Sequence, residues 1–307
     1  MKSFLLRFLG SAAFLVVIYF VVSRNLKWTD ITHAFHLLSW SSIAIAILFS
    51  LAISVLKAVR FYFLNQRSGI RISLLRTMRL FLASQAASPL PAGEAMRGAL
   101  LMHETDAKSV EASGPVIAQA FLEVAAAVLL VVIGSYYYPT FRWYAVILTV
   151  VVCVLFVFAL HPELLKKILH TKLKAVAHAQ EEVRRILLPK KRVDRFFFAM
   201  VGLALLTDVI GGVLIYFLAT RLQLPIGLFG SVFLFAVSIA IQGILPIIPG
   251  GLGVTEGGML GVLDAWGIAL APALSLVVIY RMAMLLFPVL LGLAFLVVFY
   301  SKRLVKL

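Results

Sequence analysis

The sequence predicts an all-α polytopic integral membrane protein with about six full transmembrane helices and two inverted re-entrant broken-helix hairpins. Three observations lead there. Hydrophobic residues make up 63% of the 307 positions and charged residues only 13%, a balance that excludes an ordinary soluble domain. Apolar runs recur at lengths near the roughly 20 residues that a helix needs to cross a bilayer core. Two of those runs are interrupted by proline and glycine with an acid just beyond: Q-A-A-S-P-L-P-A-G-E at 85–94 and Q-G-I-L-P-I-I-P-G-G-L-G-V-T-E at 242–256.

Taken in order, a first helix is predicted over Phe4 to Val22. It is retained rather than cleaved, because Ser23-Arg24-Asn25 is no small-residue processing site. A second helix runs from Leu38 to Leu56. Lys57 to Arg79 then carries six basic residues and no acid, which marks a cytoplasmic loop and puts the N-terminus on the same side. Leu80 to Ser88 stops at Pro89 and Pro91, and a short helix from Ala92 to His103 follows. At about 1.5 Å per residue neither limb spans the roughly 30 Å core, so the pair reads as a re-entrant hairpin. Ser113 to Tyr137 runs outward and Tyr144 to Leu160 returns. The loop His161 to Arg195 holds ten Lys and Arg against four Asp and Glu, and its amphipathic part, Leu164 to Leu188, is expected on the membrane surface. Phe196 to Leu218 crosses again, Phe229 to Asp264 forms the second broken segment, and Pro272 to Tyr300 makes a last helix kinked at Pro288. Lys302, Arg303 and Lys306 close the chain on the cytoplasmic side. The whole chain, 1–307, reads as a single membrane domain with an internal inverted repeat centred on 80–103 and 229–264.

The formal charge of +15 therefore reports orientation beside anionic headgroups, not nucleic-acid binding. Cys153 is the sole cysteine, so no intrachain disulfide is possible. The six histidines have no metal-ligand spacing, Gly251-Leu252-Gly253 follows no strand and lacks the lysine of a phosphate loop, and no nucleophile cluster stands out. No catalytic set, metal or cofactor is expected.

Chemistry concentrates at the breaks. Pro246 and Pro249 remove backbone donors, while Gly250, Gly251 and Gly253 permit the chain to unwind and restart. Gly93 does the same in the first copy. One reading of each break is a kinked packing helix; the other is a discontinuous helix lining a polar cavity. Seven charges fall at membrane depth: Glu94, Arg97, Glu123, Asp208, Glu256, Asp264 and Arg281. Each costs at least a few kcal/mol facing lipid, so each needs a partner or a wet cavity. Glu94 and Arg97 stand three apart and either pair locally or serve a ligand. Arg281, Asp208 and Glu123 have no opposite charge one turn away, so their partners must be tertiary. Arg97 and Arg281 suit a phosphate, because a guanidinium offers a planar fork and stays charged, and the helices starting near Ala92 and Leu252 add exposed N–H groups. Glu94, Glu256 and the four glycines complete this candidate substrate site. Glu123, Asp208, Asp264, Gln85 and Gln242 are candidates for lining the cavity or coupling a proton.

P-L-P-A-G-E-A-M-R and L-P-I-I-P-G-G-L-G-V-T-E resemble the signatures of the flippase-like transmembrane domain of the lysylphosphatidylglycerol synthetase (multiple peptide resistance factor) family, over nearly the whole chain. The resemblance implies a stand-alone member without the synthase domain, in a bacterial or archaeal cytoplasmic membrane with both termini cytoplasmic. It implies movement of an anionic or phosphate-bearing lipid (a phospholipid, aminoacyl-phospholipid or polyprenyl phosphate) between leaflets, with a separate lipid-modifying enzyme as a possible partner. Where relatives carry an acidic-basic pair and then an acid early in the helix after the first hairpin, this chain has Gln119, Ala120 and Glu123. The rival readings are an ion-coupled carrier of a small polar solute, a membrane-embedded lipid-phosphate transferase, and an accessory subunit.

On this topology, single cysteines placed within 57–79 and 161–195 label from the cytoplasmic side, and those near Asn25 and Arg221 label from outside. Either basic loop labelling from outside contradicts the inverted arrangement.

Overall fold

The computed structural model describes residues 39–90, 93–160, 174–188, 194–244, 251 and 253–304. The helix expected over Phe4 to Val22, Pro91, Pro246, Pro249 and Gly250 lie outside them. The chain is an all-α multi-pass membrane protein. Among the described residues five helices are long and apolar enough to cross a bilayer: Trp40–Arg67, Ser109–Tyr137, Pro139–Val157, Arg195–Arg221 and Leu270–Tyr300.

Helix α1 (Trp40–Arg67) starts at Ser39, whose hydroxyl accepts the Ser42 N–H, as N-cap serines do. It runs eleven residues past the predicted end at Leu56. Lys57 to Arg67 is therefore helix, and the expected loop shrinks to a short turn before α2 (Leu74–Ser84). The cause is visible in the spacing. Ile53, Lys57, Arg60 and Leu64 recur every three or four residues on one stripe, and Ile53, Arg60 and Leu64 are all buried.

After α2 a 3-10 turn, Gln85–Ala87, precedes the break and α3 (Ala95–Glu104). Helix α4 (Ser109–Tyr137) follows, then α5 (Arg142–Leu160) and α6 (Lys174–Leu187). The apolar face of α6 was expected on lipid. Instead Val183, Ile186 and Leu187 are buried with Leu64, Ala118, Leu122 and Met200, so the described part of α6 docks on α4 and α5.

The second half repeats the order of the first: a long helix α7 (Arg195–Arg221), a shorter α8 (Leu228–Ile244), the break, then α9 (Val254–Ala265) and a long final helix. That last helix comprises α10 (Leu270–Arg281), a π-helical turn Met282–Leu286 and α11 (Phe287–Leu304). Pro288 has no N–H to give and its ring crowds the carbonyl one turn back. The π turn, closed by Phe287 N–H on the Met282 carbonyl, widens the helix there, one residue after Arg281.

Packing partners match between the halves. α1 packs on α2 as α7 packs on α8; α3 on α4 as α9 on α10; α1 and α7 pack on each other. The long helix closing each half receives the pre-break helix of the other: α4 takes α8, and α11 takes α2 and its 3-10 turn. Both close approaches use glycine, as small residues allow in membrane bundles. A Cβ on Gly134 would stand 2.3 Å from the Phe233 ring, and one on Gly292 would stand 2.4 Å from the Ala86 backbone nitrogen and 2.8 Å from the Leu82 carbonyl.

A side chain at Gly292 meets backbone that cannot rotate away. Gly292→Leu should cost about 1–3 kcal/mol as an overpacking change, measured by denaturant unfolding in detergent. Gly202 has open space where its Cβ would be, so Gly202→Ala should gain about 0.5–1 kcal/mol from helix propensity.

Candidate functional site

One group of charges comes from α1, α4 and α7. Arg60 has no exposed surface and its Nη2 pairs with Glu123 Oε1. Lys57 Nζ lies 3.0 Å from Glu123 Oε2, and Gln119, one turn before Glu123, donates Nε2–H to Oε1 at 3.1 Å. Glu123 is thus held by three donors, two of them cationic. The sequence expectation that its partners are tertiary holds. Those partners, however, were assigned to a cytoplasmic loop. Among the described residues, Arg60 Nε and Nη1 have no protein partner. Asp208 on α7 is 2% exposed, its Oδ2 likewise has no partner among the described residues, and Lys57, Arg60 and Glu123 act on it electrostatically.

A second charged group sits at the second break. Gly251 and Gly253 have φ of 64° and 81°, a left-handed backbone that favours glycine, and this turn launches α9. Glu256, in the first turn of α9, accepts the Gly253 N–H on Oε2 at 2.6 Å, and its Oε1 lies 2.5 Å from Arg281 Nε. One carboxylate therefore takes both the free N–H of a helix start and a guanidinium. Arg281 thus meets the α9 start through the Glu256 carboxylate. Gln242 lies against this turn: a Cβ on Gly251 would come within 2.9 Å of its Cγ. The buried Tyr280 precedes Arg281 in sequence, and Arg281, Glu256 and Asp208 act on it electrostatically. Asp208 and Tyr280 thus link the two charged groups electrostatically.

At the first break the arrangement differs. The Arg97 guanidinium carbon lies 4.3 Å from the Phe81 ring centre and 5.6 Å from that of Phe61, within cation–π range, with Nε 3.4 Å from Ser84 Oγ. Glu94 is exposed and, among the described residues, is not paired with Arg97. Gln85 braces the break by accepting the Ser88 hydroxyl at 2.8 Å. Gly93 is required there, since a Cβ would lie 1.9 Å from the Ala87 carbonyl oxygen. Asp264 is exposed in the last turn of α9, apart from the buried charges.

Sequence reasoning missed Lys57, Arg60 and Tyr280. For the two cations a signal existed: apolar residues continue beyond them at helical spacing, through Phe61 and Leu64. Tyr280 had none, because a phenol in an apolar run looks like packing.

A family model described as the lysylphosphatidylglycerol synthase TM region matches residues 6–292. No curated protein matches the chain.

Removing Glu123 takes from Arg60 and Lys57 the carboxylate that both are paired with. Glu123→Gln should cost about 3–5 kcal/mol, whereas Arg60→Met with Glu123→Gln should recover most of the loss. Denaturant unfolding of the two variants in one detergent checks this.

Proposed function

Because the chain belongs to the lysylphosphatidylglycerol synthase transmembrane-region family, we propose that it moves an anionic, phosphate-bearing lipid between the leaflets of a cytoplasmic membrane, with both termini cytoplasmic. It acts as a transporter and not as an enzyme. The observation that carries this reading is the second break, where Arg281 and the first N–H of α9 converge on one carboxylate. Guanidinium and helix start are the two elements that bind phosphate oxygens. Glu256 is the internal stand-in: an arriving headgroup takes its place on Arg281 and the Gly253 N–H, and the carboxylate swings out. Arg97, stacked on Phe81 beside the first break, is the second phosphate contact.

The two halves act as an inverted repeat whose broken segments are re-entrant hairpins entering from opposite faces. The matched packing of the halves supports this, as do the glutamine, proline, glycine and acid that recur at each break. An aminoacyl-phospholipid or polyprenyl phosphate fits the same contacts, and a separate lipid-modifying enzyme is the natural supplier of such a substrate.

The test is leaflet exchange of a labelled anionic lipid against a zwitterionic one in proteoliposomes, at matched folded protein. Wild type should favour the anionic lipid, and Arg281→Gln and Arg97→Gln should slow its movement at least tenfold. Arg281→Lys, which keeps charge and loses the fork, should fall between. Equal rates for all variants on both lipids would show that the arginines are scaffolding. Exchange of a small polar solute instead would favour the ion-coupled carrier.

A further inference from the structure

Asp208 is the one site acid that is both almost fully buried and, among the described residues, outside every ion pair. Glu123 is held by three donors and Glu256 by two, yet Asp208 Oδ2 has no partner among the described residues. Arg60 shows the complementary defect: Nη2 is engaged by Glu123, while the Nε and Nη1 edge has no partner among the described residues. The helices that carry the two residues, α1 and α7, pack directly on each other and join the halves of the molecule.

We propose that Asp208 carries an exchangeable proton whose presence decides which carboxylate Arg60 holds. With the proton on, Asp208 is neutral and Arg60 stays with Glu123, the arrangement in this structure. With the proton released to solvent, Asp208 becomes a buried anion, and Arg60 turns its free edge to it. The planar fork of the guanidinium fits a carboxylate through two N–H groups. Lys57 remains on Glu123, so no acid is stranded by the exchange.

The neighbouring groups are consistent with this. Lys57 and Arg60 on α1 and Glu123 on α4 act electrostatically on Asp208. On α10, Tyr280 is coupled electrostatically to Asp208, and Arg281 next to it is held by Glu256 of α9. α8 contributes Ser238, which does not titrate. Lys57 and Arg60 against Glu123 alone leave one positive charge in excess, which is what draws Arg60 to Asp208 once the proton goes. The move loosens the α1–α4 contact within one half and tightens the α1–α7 contact between halves. Its use in driving lipid movement rests on the transporter reading above; the proton and the exchange of partners do not.

The test is infrared spectroscopy of the full chain in lipid nanodiscs, titrated between about pH 5 and 9, the range over which a perturbed buried carboxyl exchanges its proton. Wild type should show a protonated-carboxyl stretch that disappears as pH rises. Asp208→Asn should abolish it and Asp208→Glu should shift its frequency while keeping the titration. Arg60→Lys, which loses the fork, should move the midpoint upward. A stretch untouched by Asp208→Asn, one that does not titrate, or none at all overturns the proposal. Because no substrate is involved, a titrating Asp208 band beside absent lipid exchange supports the switch and overturns only the lipid reading. Lipid exchange without any such band does the reverse.

Discussion

Arg60 has no exposed surface, and a guanidinium cannot shed its charge, so its counter-ion must be built into the bundle. That requirement fixes α1 against α4 at the depth where Lys57 and Arg60 on one meet Gln119 and Glu123 on the other. An isolated ion in such surroundings costs several kcal/mol even after the protein relaxes. The three-donor grip on Glu123 is thus a condition for folding as well as a feature of the site. It leaves α7 to bring Asp208 to the same centre.

Close helix contact makes that concentration of charge possible. Gly134 and Gly292 let the long helix closing each half approach the pre-break helix of the other half, Gly134 against the Phe233 ring and Gly292 against backbone. Where lipid tails are as apolar as leucine, contact of this kind supplies much of the association energy. The exchange of partners between halves ties each break to the opposite half. A change at one break is therefore felt by the helix carrying Glu123 or Arg281. The π turn after Arg281 sits where such a change would be absorbed, since π segments are locally wide and recur at functional positions.

The sequence revealed most of the architecture and part of the site. Long apolar runs located α4, α5, α7 and the final helix within a few residues, because length and hydropathy are nearly sufficient for spanning helices. Pro89, Gly251 and Gly253 located the breaks for the same local reason. The end of α1 was not legible, because Lys57 and Arg60 read as a positive cytoplasmic loop when the helical stripe through Ile53 and Leu64 is ignored. α6 was misplaced because an amphipathic helix has the same pattern whether its apolar face meets lipid or protein. The partners of Glu123 and Arg281 were correctly expected to be tertiary, but no spacing rule names a residue that lies on another helix. The stacking of Arg97 on Phe81 belongs to that same class of contact.

In the proposed transport, Arg97 and Arg281 beside the paired helix breaks receive a lipid phosphate, with Glu256 filling that place when the lipid is absent. Native mass spectrometry of the full chain, extracted gently from its membrane, addresses this directly. The predicted result is a retained phosphate-bearing anionic lipid, enriched over its share of the membrane, whose occupancy rises in Glu256→Gln and falls in Arg281→Gln. Lipid bound in bulk proportion, with the same occupancy in both variants, would contradict it.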